Sequence, residues 1–420
     1  MRVLLSTWGS RGDVEPLAGL ALGIRELGAQ VRVCAPPDAE FAALFTELGI
    51  PFVPLGPAVR SVTAGKTRPT TQDAFRLAAE LVAARFSTLG AAAADCDVLL
   101  ATGLMPAGAR SVAEKLGIRY VFACFHPFGL PSRHFRPGER PGQPLPAGET
   151  DPKVLWDHDA RRVNDLYRDA LNSHRTAIGL PAVENVRDYV FGDGAFGDRA
   201  LADGALADGA LGDRPLLAAD PILGSWQDST ELDLVQTGAW IRPDERPLPP
   251  ELVEFLDAGD PPVYVGFGSM AMRSSPDLAG VAIEAARAHG RRLVLARGWA
   301  ELAPSDAKAD CFVVGEVNQQ ALFPRAAAVV HHGGAGTTTT AALAGAPQVV
   351  LPQIADQPHW ARRVAELGIG AAHPGQPSTV ESLSRELRTA LDPETRVQAR
   401  AVAGWMSTDG AAVAARLLVR

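Results

Sequence analysis

Continuous apolar runs, not alternating ones, carry the pattern of this chain. In the first half they are Val3–Thr7, Val31–Ala35, Phe52–Leu55, Val98–Thr102 and Tyr120–Phe125. Helical stretches separate them, one opening near Asp13–Pro16 and one running from about Ala39 to Leu48. A strand that is apolar on every residue must be covered on both faces. Helices between such strands supply the cover, so the pattern predicts a parallel sheet. The second half repeats it with Val263–Gly268, Arg292–Ala296, Phe312–Val314, Ala328–His331 and Gln348–Leu351. The fold class predicted is α/β, two doubly wound Rossmann-like domains facing across a cleft. A Pro-rich segment, Ile241–Pro250 (IRPDERPLPP), joins the halves. Residues 1–240 are the expected N-terminal domain and 241–400 the C-terminal one. Residues 401–420 are expected as a helix packing back toward the first.

Two segments leave the pattern. Pro131–Asp151, rich in Pro, Gly and Arg, reads as an exposed loop ahead of a long helix from about Val154 to Gly179. From Phe191 to Pro215 run five imperfect pentapeptides, FGDGA FGDRA LADGA LADGA LGDRP. They contain a formal GxGxxG, Gly192–Gly194–Gly197, but a dinucleotide fingerprint belongs between a strand and a helix. Here it sits in low-complexity repeats and is set aside as a mobile surface insertion.

Size and charge narrow the function. A chain of 420 residues, 47% of them hydrophobic, can fill two cores. Net charge is −8 with no Lys/Arg block, which argues against nucleic acid as a partner. No apolar run approaches the ~20 residues that span a bilayer. The N-terminus reads as a buried first strand, not a signal peptide. Cys34, Cys96, Cys124 and Cys311 are dispersed, as expected of reduced fillers in a cytoplasmic protein. No metal or cofactor is expected.

Ligands of doubly wound sheets bind beyond the carboxyl ends of the strands. The strongest signal lies there, in HHGGAGTTTT from His331 to Thr340. Gly333, Gly334 and Gly336 let the backbone approach a ligand, and Thr337 opens a helix whose N–H groups and partial positive charge suit a phosphate. His332 adds a donor. Such fixed donors stabilise a departing diphosphate as a metal would. About twenty residues on, ADQPHW offers Asp356 and Gln357 to vicinal sugar hydroxyls. A helix cap fits the pair as well, and the spacing from the Gly-rich loop favours the sugar. GFGSM supplies Ser269 as a weaker phosphate donor. GEVNQQ could hold a nucleobase and ribose against Val317 and Gln319, with Trp299 beside them or in the core. In WGSRGDVEP, Ser10 and Gly12 shape the turn and Pro16 fits a first helical turn. Asp13 reads either as a cap or as a general base taking the proton of an acceptor hydroxyl.

Together GSRGD, GFGS, GEVNQQ, HHGGAGTT and DQPHWARRVAELGIG, in order and at this spacing, resemble the GT-B glycosyltransferases of family 1. LNSHRTAIGLP and VQTGAWIRPDERPL resemble most the actinobacterial branch that glycosylates glycopeptide antibiotics. The resemblance implies inverting, metal-independent transfer of a sugar from a dTDP- or UDP-sugar to a small natural-product aglycone. The donor would bind in the C-terminal domain and the acceptor in the N-terminal one. It assigns Ser269, His332, Gly334, Gly336 and Thr337 to the diphosphate, Trp299, Val317 and Gln319 to the nucleoside, and Asp356 and Gln357 to the sugar. Many family members carry a His base in the first loop. This chain has no His between Met1 and Phe125, so the resemblance to the glycopeptide branch assigns the base to Asp13 and puts Ser10, His126 and His134 on the acceptor side, the two histidines being the runners-up as base. A nucleotide-sugar epimerase of the same architecture, or a non-catalytic nucleotide-sugar-binding partner, are the other readings. An epimerase would not need the variable Pro131–Asp151 loop, and a binding partner would tolerate loss of Asp13.

Overall fold

The computed structural model describes the chain except residues 64–69, 139, 141–142, 193–213, 228–231, 269–276, 299–301, 304–307 and 376–377. Most of the pentapeptide run therefore lies outside the described residues. The chain divides into two compact units. One holds Met1–Pro221, Ser225–Arg242 and Ser407–Arg420; the other holds Ile222–Gly224 and Pro243–Met406.

The strands of the first unit are β1 (Arg2–Trp8), β2 (Gln30–Ala35), β3 (Phe52–Pro54), β4 (Val98–Gly103), β5 (Arg119–Cys124), β6 (Leu216–Leu217) and β7 (Val235–Gln236). They form one sheet in the order β3-β2-β1-β4-β5-β6-β7, every described pair parallel. The apolar runs of β2, β1, β4 and β5 lie inside it, where both faces are covered, whereas Phe52–Pro54 forms the half-exposed edge strand. Val3, Leu5, Val98 and Leu100 pack with Val14, Leu17 and Ile24 of the helix Arg11–Glu26. That helix begins earlier than expected, at Arg11, which puts Pro16 in its second turn. The carbonyl that loses its bond to a proline N–H there is that of Gly12, which is exposed, so water can satisfy it. The last helix, Gly410–Val419, packs in this unit against the same helix. A methyl group at Gly23 would already touch Ala415 Cβ at 3.4 Å.

The second unit holds β8 (Val263–Gly266), β9 (Leu293–Ala296), β10 (Cys311–Val314), β11 (Ala328–His331), β12 (Gln348–Val350) and β13 (Gly370–Ala372), ordered β10-β9-β8-β11-β12-β13 and again parallel. Its faces are filled by two apolar clusters, one around Val265, Leu295 and Val330 and one around Tyr264, Val294 and Val329. Each sheet has one point at which the strand order reverses, between β1 and β4 and between β8 and β11. There, connections leave to opposite sides and open a crevice at the carboxyl edge. No helix among the described residues is long and apolar enough to cross a membrane.

The Pro131–Asp151 loop is irregular but is not wholly exposed. Trp156 Nε1 donates to the Phe135 carbonyl at 2.8 Å. Arg162 donates to the carbonyls of Gly138 and Gln143 at 2.9 and 2.7 Å, and Arg140 pairs with buried Asp159 at 2.8 Å. The helix Pro152–Ala177, started by an Asp151 side chain that accepts from Lys153 N–H, thus holds the loop against its own face.

Candidate active site

In the second unit the crevice at β8 and β11 is built from glycines and two histidines with different surroundings. His331 ends β11 opposite Gly266 and is fully buried. Its Nδ1 accepts from the Gly333 N–H at 3.1 Å, so its Nε2 carries the proton and donates to Gln348 Oε1 at 2.9 Å. The Gln348 amide in turn donates to the Thr338 carbonyl at 3.3 Å. Burial holds the proton affinity of His331 down to about 3, so the ring is neutral. Between β11 and the next helix the chain must reverse at once. Gly333 does so with φ +90, where a side chain would also strike Val350 Cγ1.

Gly334 then caps the helix Ala335–Leu343 with no side chain to do it. Its carbonyl accepts from Thr338 N–H and Oγ1 at 3.0 and 2.9 Å. The N–H groups of the first turn, Ala335, Gly336 and Thr337, are directed beyond the helix end, with the positive end of its dipole. Gly336 is exposed and opens onto free space, and Thr337 is half-buried beside it. His332 lies over this end. A methyl group at Gly334 would stand 2.6 Å from its Nε2, and one at Gly268 3.5 Å from its Cε1. Its Nδ1 is enclosed without a hydrogen-bond partner among the described residues. Burial holds its proton affinity down to about 4 against the upward pull of Asp356, so His332 offers a neutral ring.

Asp356 stands at the start of the helix Gln357–Glu366 but does not cap it. Its Oδ2 accepts from Trp360 Nε1 at 2.8 Å instead. Ala355 just before it has φ +54, a left-handed conformation that a non-glycine residue adopts only under constraint. Gln357 is buried, and its Oε1 accepts from the N–H groups of Gln353 and Ile354 at 2.7 and 3.1 Å. That commitment leaves its amide nitrogen as the group a ligand could meet. Val317 packs at the edge of the Tyr264 cluster, and Gln319 Nε2 donates to Tyr264 Oη at 3.4 Å. Ser269 and Trp299 lie outside the described residues. Asn318, which the sequence reading passed over, is the pin of its loop: it caps a helical turn and donates to the Asp244 and Arg246 carbonyls at 2.7 and 2.8 Å.

In the first unit Asp13 follows β1 at the other switch point. Ser10 occupies the helix N-cap without a side-chain cap bond, and Asp13 is the third helical residue, half-buried, its carboxylate folded back over Gly9. The neighbouring loop after β4 is shaped by Arg85. A π turn at Arg85–Leu89 drives this guanidinium into the core, where it donates to the carbonyls of Leu104, Met105 and Ala107 at 2.9, 3.0 and 3.2 Å. His126 follows β5 on the same edge and stacks on Phe128 with ring centroids 4.1 Å apart. His134 is further along the loop and exposed, its N–H bonded to Ser132 Oγ at 3.0 Å. Asp13 and His126 therefore share one sheet edge, whereas His134 belongs to the anchored loop. Among the described residues no group of three or more His, Cys, Asp or Glu is placed to hold a metal ion.

Residues 307–414 match the family described as erythromycin biosynthesis protein CIII-like, C-terminal domain. Over 100% of its length the chain is 53% identical to glycosyltransferase GtfE of Amycolatopsis orientalis, covering 97% of that protein. It is 52% identical, with the same two coverages, to vancomycin aglycone glucosyltransferase of the same organism. The chain belongs to the GT-B glycosyltransferases of family 1, in the branch of these vancomycin-type enzymes. The crystal structure of the glycotransferase of kitacinnamycin matches with a TM-score of 0.72 at 19% identity, over 100% of this chain and 98% of that one, a likeness of fold. For a glycosyltransferase of this family, the helix end at Gly334 without a side-chain cap and the carboxylate at Asp13 are the features to explain, and an epimerase is set aside.

Proposed function

We propose that this glycosyltransferase moves the sugar of a dTDP- or UDP-sugar to a hydroxyl of a glycopeptide-type aglycone, with inversion and without a metal. One observation carries the donor half of the reading: a helix end without a side-chain cap, overlain by the neutral ring of His332, at a topological switch point. Donors fixed there meet the charge that grows on a departing diphosphate and need no reorganisation as it grows. Gly334, Gly336 and Thr337 contribute N–H groups and a hydroxyl, His332 its ring, and Ser269 its hydroxyl on the strength of its motif. Val317 and Gln319 flank the nucleoside, and Trp299 is assigned there on the strength of its motif. Asp356 Oδ1 and the Gln357 amide hold the sugar, each having its other atom committed to the protein.

On the acceptor side, Asp13 takes the proton of the attacking hydroxyl. The acceptor oxygen bonds to the anomeric carbon as the bond from that carbon to the diphosphate oxygen breaks, and the nucleoside diphosphate leaves. Ser10, His126 and His134 flank the acceptor. Likeness to a vancomycin aglycone glucosyltransferase along the whole chain supports this acceptor class. The four unbridged cysteines fit a reducing compartment, the cytoplasm.

A panel of nucleotide sugars scored by thermal shift, followed by turnover with a glycopeptide aglycone and chelator present, tests the proposal. The expected result is strong stabilisation by one donor through mass action and turnover indifferent to chelation. Stabilisation by none, or turnover abolished by chelator, would overturn it.

A further inference from the structure

The adjacent histidines do different work. We propose that His331 and Gln348 are positioning residues that hold the diphosphate grip in shape, while His332 alone of the pair meets the ligand. This rests on the donor reading above. His331 is fully buried at the end of β11, where no ligand reaches it. Three elements meet through it: β11 by its own backbone, β12 by Gln348, and the helix Ala335–Leu343 by the bond from Gln348 to Thr338.

Its Nδ1 holds the Gly333 N–H, and so fixes the reversal that points the helix end at the ligand. A ring kept for volume alone would be replaced without loss by an apolar one, because burying polar nitrogens is costly unless they are bonded. Here both nitrogens are bonded, and the bond to Gln348 selects the tautomer that leaves Nδ1 able to accept. His373, after β13, repeats the device, with Nδ1 accepting from the Gly375 N–H at 3.2 Å and Nε2 bonded to Ser382 Oγ at 2.8 Å. Such a clasp belongs to strand ends that turn sharply.

Three variants of the full chain test it, titrated with uridine diphosphate and thymidine diphosphate and followed by steady-state kinetics. His331→Phe keeps a ring and loses both bonds. Gln348→Met keeps the length and loses the partner. In both, Kd for the diphosphate and KM for the donor should rise about tenfold while KM for the acceptor stays put. Gln348→Glu keeps an acceptor at Oε1 but draws a proton onto His331, so Nδ1 faces the Gly333 N–H with an N–H of its own. β8 sets Gly266 beside His331 and β12 sets Gln348 and Val350. The titratable neighbours in play are therefore His332 and, acting on His332, Asp356. Diphosphate binding by Gln348→Glu should be weak near pH ~6 and recover as the pH rises toward ~9, when His331 gives up the added proton. Packing alone would produce no such recovery.

If His331→Phe does not fold, the Gln348 variants decide the matter. Wild-type affinity in folded Gln348→Met, or a Gln348→Glu protein whose affinity ignores pH, overturns this proposal and leaves the donor reading standing. A wild-type chain that binds neither diphosphate overturns both.

Discussion

The carboxylate of Asp13 lies so close over the α-carbon of Gly9 that any side chain at residue 9 would overlap its Oδ2. Gly9 is thus the space in which the carboxylate rests. Gly9→Ala should turn the carboxylate aside while leaving the fold alone, because only a side-chain rotation is needed. If Asp13 is the base as proposed, kcat should fall about a hundredfold with the melting temperature within a few degrees of wild type. Asp13→Asn, which keeps shape and loses the proton acceptor, should lower kcat by roughly 10²–10⁴. Full turnover in the Asn variant would take Asp13 out of the mechanism and turn attention to His126.

On the proposed donor site, removing the His332 ring takes one fixed donor from the leaving diphosphate. His332→Ala should lower kcat by about 10²–10³ with the circular dichroism spectrum unchanged. Turnover close to normal would refute the diphosphate assignment.

The bond from Trp360 Nε1 to Asp356 offers a way to test the proposed sugar contact apart from the proposed phosphate contacts. Trp360→Phe should cost about 1.5–3 kcal/mol in unfolding free energy, as a lost bond to a charged acceptor plus a partly emptied ring site. Asp356 would then swing freely. KM for the intact nucleotide sugar should rise while Kd for the free nucleoside diphosphate does not. Equal losses for both ligands would place Asp356 away from the sugar.

Acid should loosen the second unit through its histidines. Burial holds His331 near 3 and His332 near 4, below the ordinary 6.5. The unfolded chain therefore binds more protons than the folded one between those values. Stability from the neutral rings is whole above pH 6.5 and is lost as the pH falls toward 4 and then 3. Melting temperature should drop on acidification below ~6.5, less steeply in His331→Asn. Donor affinity should stay level from pH ~6 to ~8, since His332 is neutral throughout. A melting temperature that rises on acidification would contradict this.

Strand interiors were legible in the sequence because residues such as Val3–Leu5 and Val329–Val330 are buried on both faces, and burial on both faces writes itself as an unbroken apolar run. β6 and β13 were not, since two leucines or Gly-Ala-Ala carry no period. The Gly-rich loop showed itself by composition, but which histidine of the pair faces outward depends on register with Gly266 and Gln348, which neighbouring strands supply. Arg85 was invisible for a related reason. Its role comes from a π turn that re-aims one side chain, and nothing in the residues RFSTL announces the extra residue in that turn. The strain at Ala355 and the commitment of Gln357 Oε1 to backbone likewise arise from tertiary closure of the loop.

The placing of the helix Gly410–Val419 on Gly23 has a bearing on how such enzymes can be recombined. The donor-side residues described here lie between Pro243 and Met406, yet the chain's last helix belongs to the other unit. A hybrid made with one junction near Arg242 would bring a foreign helix onto Gly23, where a methyl group would come within 3.4 Å of the Ala411 carbonyl and Ala415 Cβ. Two junctions, near Arg242 and near Met406, exchange the donor-side unit whole and leave that helix with the partner it grew up against.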